Sequence, residues 1–486
     1  MKPRPDALAW LAVGALFVLA AVIRLHALTA SPYPTGIDGY WYLIQVRSLL
    51  EDGHLYYPSA PLVPWLMALA ALVTSPVMAV KTVAALGSAA MILPSYVIAR
   101  RISGSIGAAL LGAALVGGSA QSLYLSTEFV KQAVGLSLAL GCVAALAALV
   151  EKPGRARGMV AAGLLVTCAL AHKTALGLAL ILSTPVVVAH VWHLRRRVSI
   201  LVGLAVVALG ALVWAARDPS APLRHLFRAH ADLGFVVLAT PARSPLVLGH
   251  EVALAAGLAV AGLALAGFRK PESGPRLPAL AIGFVAFAIF QALPWLDIAD
   301  DQGLGYRLRL CACVCLAPCA ALVAAQLLRW VMPALRTPLL MLATGLVLLL
   351  RPWSSNEGVI KAHPAMVEAT SRLAGVLPPD TTVVIPERHT AFMAAWYGRV
   401  NVRLHPPTAV DPVRTFRLLP GAEIRPGLWA ALDDLRAHPV AGIAPSRDLH
   451  SLHPNGLVLL AEPTFQYLVS RLPADELQWY KAWVVQ

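Results

Sequence analysis

Charge is what this 486-residue chain has least of: 13% of its residues are Asp, Glu, Lys or Arg, about half the roughly 25% of soluble globular domains. A soluble surface cannot be covered with so few charges, and apolar residues make up 58% against roughly 45–50% in such domains. With a mean hydropathy of +0.70, this excludes a soluble domain on a single anchor and assigns most of the chain to lipid. Cysteine is nearly as scarce. Cys142, Cys168, Cys311, Cys313, Cys315 and Cys319 all lie in apolar runs, so the later part of the chain has no disulfide framework. The last four lack Cys-x-x-Cys spacing, and a helix would point Cys313 away from the other three, so they read as small-residue helix packing rather than a metal site. There is no internal repeat, low-complexity tract or glycine-rich phosphate loop.

Acidic residues are also short, 25 against 39 basic, but unevenly so. Residues 352–486 hold 12 of each sign, whereas residues 1–351 hold 27 basic and 13 acidic. A basic excess confined to the apolar part is loop charge that orients membrane spans and meets anionic lipid. It excludes a nucleic-acid footprint.

Apolar runs cover 8–28, 77–99, 106–123, 132–150, 159–171, 174–193, 198–215, 251–268, 278–296, 310–328 and 338–350. A further proline-led run, 61–74, is either a short span or a helix lying at the interface. If Lys2 and Arg4 start in the cytoplasm and 61–99 makes one net crossing, the cytoplasmic tally is 15 basic to 3 acidic and the outer tally 12 to 10. The basic-inside rule thus predicts about eleven transmembrane helices in an inner, cytoplasmic membrane, with the N-terminus inside. Arg24 and His26 near the end of the first run favour a retained span over a cleaved signal peptide.

After Arg351 the composition becomes that of a soluble protein. A helical pattern over 362–376 precedes the β-branched run Thr381-Thr382-Val383-Val384-Ile385. A helix over 426–437 and strands near 439–444 and 456–461 follow. The expected architecture is an all-α polytopic membrane domain over 1–351, then a small α/β extracytoplasmic domain over 352–486.

Charges near lipid are costly, so those at the outer ends of spans are functional candidates. The first outer loop reads Gly36-Ile37-Asp38-Gly39-Tyr40-Trp41-Tyr42, then an amphipathic segment to Gly53. Asp38 is either an N-cap, with the three aromatics as an interfacial belt, or a reactive carboxylate. The second outer loop carries Ser126-Thr127-Glu128-Phe129-Val130-Lys131-Gln132, where Glu128 and Lys131 are either an ion pair at a helix start or site residues. His172, between two short runs, falls at the same depth and is either a satisfied interfacial histidine or part of a pocket. Asp297, Asp300 and Asp301 precede Tyr306-Arg307-Leu308-Arg309. Outer arginines run against the orienting rule and need an anion: the nearby aspartates, or a phosphate gripped through parallel hydrogen bonds. Arg307 and Arg309 lie roughly 200° apart on a helix, so one of them would face a pocket.

This constellation resembles the GT-C superfamily of integral-membrane glycosyltransferases, which take sugars from polyprenyl phosphate or diphosphate lipids. The matching features are GIDGYWYLIQVRSLLEDG after the first span, the proline-rich APLVPW, STEFVKQ in the second loop, YRLR before a late span and the outer mixed domain. The resemblance implies that Asp38 is the first-loop catalytic acid and that Glu128 is the second-loop acid. One of Arg307 and Arg309, with Lys131, would bind the donor phosphate, and Tyr40, Tyr42 and His172 would line the pocket. Where the protein-mannosyl type shows two adjacent acids, this chain has Asp38-Gly39, and it lacks a Trp-Trp-Asp motif, which argues against an Asn-x-Ser/Thr protein acceptor. The expected activity is sugar transfer on the outer face of the membrane, with Asp38 as base and the cations assisting the departing phosphate. Asp38 and Glu128 would instead hold a divalent cation, Mg or Mn, if the chain follows metal-dependent members. The rival readings are a transporter or lipid flippase, whose sites lie near the bilayer midplane, and a non-catalytic scaffold with an outer binding domain.

Overall fold

In the computed structural model the apolar runs become helices whose breaks follow proline and glycine. It describes residues 5–36, 38–193, 250–267, 278–292, 304–350, 364–378, 380–385, 387–404, 414–420, 424–441, 443, 447–448 and 457–484. The chain divides into two compact units, Met1–Ala30 with Pro58–Ala70 and Lys81–Glu357, and Ser31–Tyr57 with Ala71–Val80 and Gly358–Gln486.

Most of the first unit is helical: α1 (Pro5–Thr29), α3 (Leu62–Ala71), α4 (Pro76–Ala89), α5 (Ile92–Ser103), α6 (Ile106–Gly117), α7 (Ala120–Glu128), α8 (Val130–Glu151), α9 (Arg155–Ala171) and α10 (Lys173–His193). It continues with α11 (His250–Gly267), α12 (Ala279–Ala292), α13 (Leu304–Arg309), α14 (Cys313–Leu327) and α15 (Pro333–Leu350). Ten of the eleven expected runs coincide with these helices; the run 198–215 lies outside the described residues. Among the described residues, five helical segments are long and apolar enough to cross a membrane, with α4 and α5 together counting as one over Pro76–Ser103, and α6 with α7, bent by 42°, would make a sixth. The run 61–74 forms only α3, ten residues or about 15 Å, half the hydrocarbon thickness.

The run 77–99 is split because Pro94, in the first turn of α5, has no N–H for the carbonyl four residues back. Leu93 donates to the Ala90 carbonyl instead, at 3.2 Å. Cys311, Cys313, Cys315 and Cys319 are buried and unbridged. Among the described residues no group of three or more His, Cys, Asp and Glu side chains could hold a metal. At the C-terminal end of α8, Arg101 pairs with Glu151 at 2.6 Å. Lys131 begins α8 at the other end, 20 residues or about 30 Å away.

The second unit takes in α2 (Gly39–Glu51) and the C-terminal elements α16 (Pro364–Ser371), α17 (Leu373–Val376), β1 (Thr382–Val384), α18 (Arg388–Tyr397), β2 (Asn401–Arg403), β3 (Thr415–Pro420), α19 (Pro426–Ala437), β4 (Arg447–Asp448), β5 (Leu457–Ala461), α20 (Glu462–Val469) and α21 (Ala474–Val484). The sheet order is β2-β1-β3-β5-β4. β1 is parallel to β2 and β3, and β5 is antiparallel to β3 and β4. The strand expected near 439–444 is not formed at its described positions, 439–441 and 443. Pro439, Gly442 and Pro445 punctuate that segment, and a proline cannot donate to a ladder; the short β4 follows instead.

Arg417, on β3, is 1% exposed and meets Glu462, the first residue of α20, through Nε–Oε2 at 2.6 Å and Nη2–Oε1 at 3.0 Å. The guanidinium also stacks over Phe465 at 4.8 Å. Removing one partner of such a pair strands a buried charge. We expect Glu462→Gln to destabilise this unit by about 3–5 kcal/mol, and Arg417→Met with Glu462→Leu to restore most of the loss. Thermal unfolding of the purified full chain, followed by tryptophan fluorescence, measures both; a single variant as stable as the parent would contradict the assignment.

Candidate functional site

The first unit gathers its polar side chains around helix breaks. After Gly117-Gly118 the chain restarts as α7, whose N-terminal amides would be orphaned in an apolar surrounding. Ser119 caps the helix by accepting from the Ser122 amide at 3.1 Å. Glu251, entering from α11, accepts from the Ala120 amide at 2.9 Å and from the Ser119 hydroxyl at 2.5 Å. Arg24, 2% exposed on α1, donates to the Gly117 carbonyl and the Ser122 hydroxyl, both at 3.0 Å. Two buried opposite charges thus fix where α7 starts, and α7 ends on Glu128.

At Phe129 the helix breaks again, at φ −132° and ψ 56°. Glu128, 4% exposed, and Lys131 flank this break, so they do not share one continuous helix as their spacing implied. Lys131 donates from Nζ to the Ser59 hydroxyl at 2.9 Å. The Phe129 ring lies beneath the Arg307 guanidinium at 5.6 Å. Gln132 donates to the Arg307 carbonyl at 3.0 Å.

His172 is the extended residue between α9 and α10, at φ −164° and ψ 124°. Its Cβ packs against α8 at Gly135, where an added Cβ would come within 2.9 Å of it. Gly135 lies one helical turn beyond Lys131, on the same face, so the missing side chain brings the imidazole onto the lysine's stripe. The His172 Nδ1 is buried without a hydrogen-bond partner. Burial, with the charges of Lys131, Arg307 and Lys173, pushes its pKa down to about 3, so the imidazole is neutral at physiological pH. Two cations, Lys131 and Arg307, and the neutral His172 thus gather around the Phe129 break: Arg307 over the Phe129 ring, Lys131 two residues on, and His172 against Gly135 one turn further along α8. Arg309, two residues on and also half-buried, presents its carbonyl to Gln121 at 3.0 Å. Asp297, Asp300 and Asp301 lie outside the described residues.

Asp38, in the second unit, immediately precedes α2, yet its side chain makes no capping hydrogen bond. Its carboxylate, 24% exposed, instead lies 3.3 Å from the Arg388 guanidinium of α18. Gly36, at φ 70°, makes the turn that presents it. A Cβ on Gly39 would lie 2.9 Å from the Pro34 Cβ, so the position beside Asp38 has no room for a second acid. Tyr40 and Tyr42 are buried, at 0% and 2% exposure. Tyr40 packs edge-on against His389 and Tyr397 and shares a 3.3 Å hydroxyl contact with Tyr397, and burial raises its phenol pKa. Arg47 donates to the Ala395 and Trp396 carbonyls at the C-terminal end of α18, both at 3.0 Å, where a cation suits the helix dipole. The first loop is thereby a built part of this unit, tied to α18 at both ends of α2.

Residue type alone did not mark Gln121, Glu251 and Gln291 as site residues, gave Phe129 no role within its loop, and read Arg24 only as a sign of a retained span. Four of them carry a readable signal, a charged or amide side chain inside or beside an apolar run, which is costly in lipid unless it has partners.

No protein-family model and no curated protein matches the chain. Two solved structures are similar to it over nearly its whole length. The crystal structure of ArnT from Cupriavidus metallidurans bound to undecaprenyl phosphate aligns with a TM-score of 0.56 at 14% identity, covering 92% of this chain and 97% of that one. The apo crystal structure of the same protein aligns with a TM-score of 0.51 at 15% identity, covering 93% and 98%. At such identity the likeness concerns the fold: this chain has the fold of the ArnT structures, and the expected arrangement of a polytopic helical membrane domain with a small α/β part is the one it has.

Proposed function

We propose that the chain is a membrane glycosyltransferase that moves a sugar from a polyprenyl phosphate or diphosphate donor to an acceptor on the outer face of the cytoplasmic membrane. One observation carries the reading: Lys131 and Arg307 meet at the Phe129 helix break, with the Arg307 guanidinium over the Phe129 ring, in a chain with the fold of a protein crystallised with undecaprenyl phosphate. In the reaction, the acceptor hydroxyl forms a bond to the anomeric carbon while the bond from that carbon to the phosphate oxygen breaks. The proton passes to a carboxylate, and the electron pair leaves with the lipid phosphate. As charge develops on that phosphate, Lys131 and Arg307 stabilise it, and the Arg307 guanidinium offers two parallel donors. Asp38 takes the proton as general base. Glu128 is the second acid, and a Mg or Mn ion held by carboxylate oxygens is the alternative role for Asp38 and Glu128.

Isotope-labelled polyprenyl-phosphate sugar, supplied to proteoliposomes of the full chain, separates transfer to an acceptor from translocation and from inactivity; only transfer upholds the proposal. Asp38→Asn should lower transfer by about 10²–10⁴-fold. Asp38 caps nothing and its partner Arg388 is 52% exposed, so the same change should leave the melting temperature nearly unaltered. Near-full activity in this variant would remove Asp38 from the mechanism. Arg307→Ala should weaken donor use by roughly 10–150-fold, the range for losing a hydrogen bond to a charged group, and Arg309→Ala far less. Equal effects would contradict the assignment of Arg307. For sidedness, Asp433→Cys places a thiol on an exposed turn of α19, whereas all six native cysteines are buried. A membrane-impermeant thiol reagent should label it in intact cells; labelling only after lysis would overturn outer-face action.

A further inference from the structure

The two outer arginines sit on a turn held in an unusual way. Between α13 and α14 the chain tightens: the Cys311 amide donates to the Leu308 carbonyl at 2.9 Å, Ala312 to Arg309 at 3.1 Å, and Cys315 to Ala312 at 2.9 Å. These are three-residue steps, which a short 3₁₀ turn makes. Each carbonyl of Arg307, Leu308 and Arg309 then receives a glutamine amide from a different helix. Gln132 of α8 donates to Arg307 at 3.0 Å, Gln291 of α12 to Leu308 at 2.7 Å, and Gln121 of α7 to Arg309 at 3.0 Å. Gln121 also accepts from the Cys313 amide at 2.9 Å, which joins the last residue of α13 to the first of α14.

We propose that Gln121, Gln132 and Gln291 are positioning residues that fix the 307–309 turn so that Arg307 meets the lipid phosphate without reorganising. The inference rests on the phosphate-site reading above and adds the device that pre-sets it. All three glutamines are buried, Gln121 and Gln291 at 0% exposure and Gln132 at 2%. The Leu308 and Arg309 carbonyls already accept backbone amides within the turn, so the glutamine amides there are additional contacts and not replacements for missing ones. The Oε1 atoms of Gln132 and Gln291 are buried without a hydrogen-bond partner, so these amides are present for their donor ends. Leaving a buried acceptor unmet costs stability, an expense characteristic of sites that need a fixed geometry. Three amides from three helices, on three consecutive carbonyls, leave the turn no freedom to rotate. Holding the root of a long side chain in this way reduces the ordering left to occur when the anion binds.

The test uses undecaprenyl phosphate and undecaprenol, titrated into the purified full chain in detergent with binding read by tryptophan fluorescence. Gln121→Met, Gln132→Met and Gln291→Met keep side-chain volume and remove the donor. Each should bind undecaprenyl phosphate about tenfold more weakly, with undecaprenol binding unchanged; three sites on three helices keep the test open if one variant fails to fold. Equal weakening for both lipids would mean that the glutamines only support the fold, and would overturn the proposal. Parental phosphate affinity in all three, alongside a defect in Arg307→Ala, would overturn it while leaving the phosphate site standing. If the parent protein does not prefer the phosphate lipid over the alcohol, the site reading fails first and this inference with it.

Discussion

A backbone polar group inside lipid has no water to turn to, so wherever a helix in the membrane unit breaks, the protein itself must supply the missing hydrogen bonds. Three such breaks organise the candidate site. Arg24, Ser119 and Glu251 satisfy the start of α7; Phe129 separates Glu128 from Lys131; and three glutamine amides, added to its own backbone bonds, brace the turn before α14. Each break is costly by itself, and each turns a side chain away from the direction that a continuous helix would give it. Polar chemistry thus sits where the helical regularity fails, and the residues that make the failure tolerable are as informative as those presumed to react.

The second unit solves a different problem, because water is available to it. Its first loop is held by aromatic contacts and by Arg47 at the end of α18. Asp38 is left with one exposed arginine partner instead of a helix cap. The unit therefore loses neither a helix cap nor a buried ion pair when this carboxylate is replaced. The Arg417–Glu462 pair is the contrasting case: bidentate, buried and stacked on Phe465, it joins strand to helix and is too enclosed for exchange.

Much of this architecture was legible in the sequence because lipid imposes a simple rule on composition. Ten apolar runs fall on helices. The split of 77–99 at Pro94 and the shortness of α3 were less legible, since hydropathy measures how apolar a run is and not whether it is continuous. In the soluble part, β1, α19 and β5 follow from β-branched and amphipathic patterns, whereas β3 carries a buried arginine that no apolar alternation would assign to a central strand. The membership of α2 in the second unit could not be read at all, because it depends on contacts with residues some 350 positions away. Lys131, Arg307 and His172 were readable as separate oddities. Their grouping depends on Gly135, whose missing Cβ lets His172 approach α8. Gln121, Gln132 and Gln291 were passed over because a lone amide in an apolar run looks neutral until its partners are known.

Under the proposed function, Lys131 and Arg307 at the α8 break receive a lipid-linked phosphate. A cryo-electron microscopy structure of the full chain with undecaprenyl phosphate tests it directly. The expected result is phosphate density within hydrogen-bonding distance of the Arg307 guanidinium and the Lys131 ammonium, with the His172 imidazole beside it and the 307–309 turn unmoved. A phosphate seated elsewhere, with Arg307 still lying over Phe129 and making no contact to it, would contradict the account.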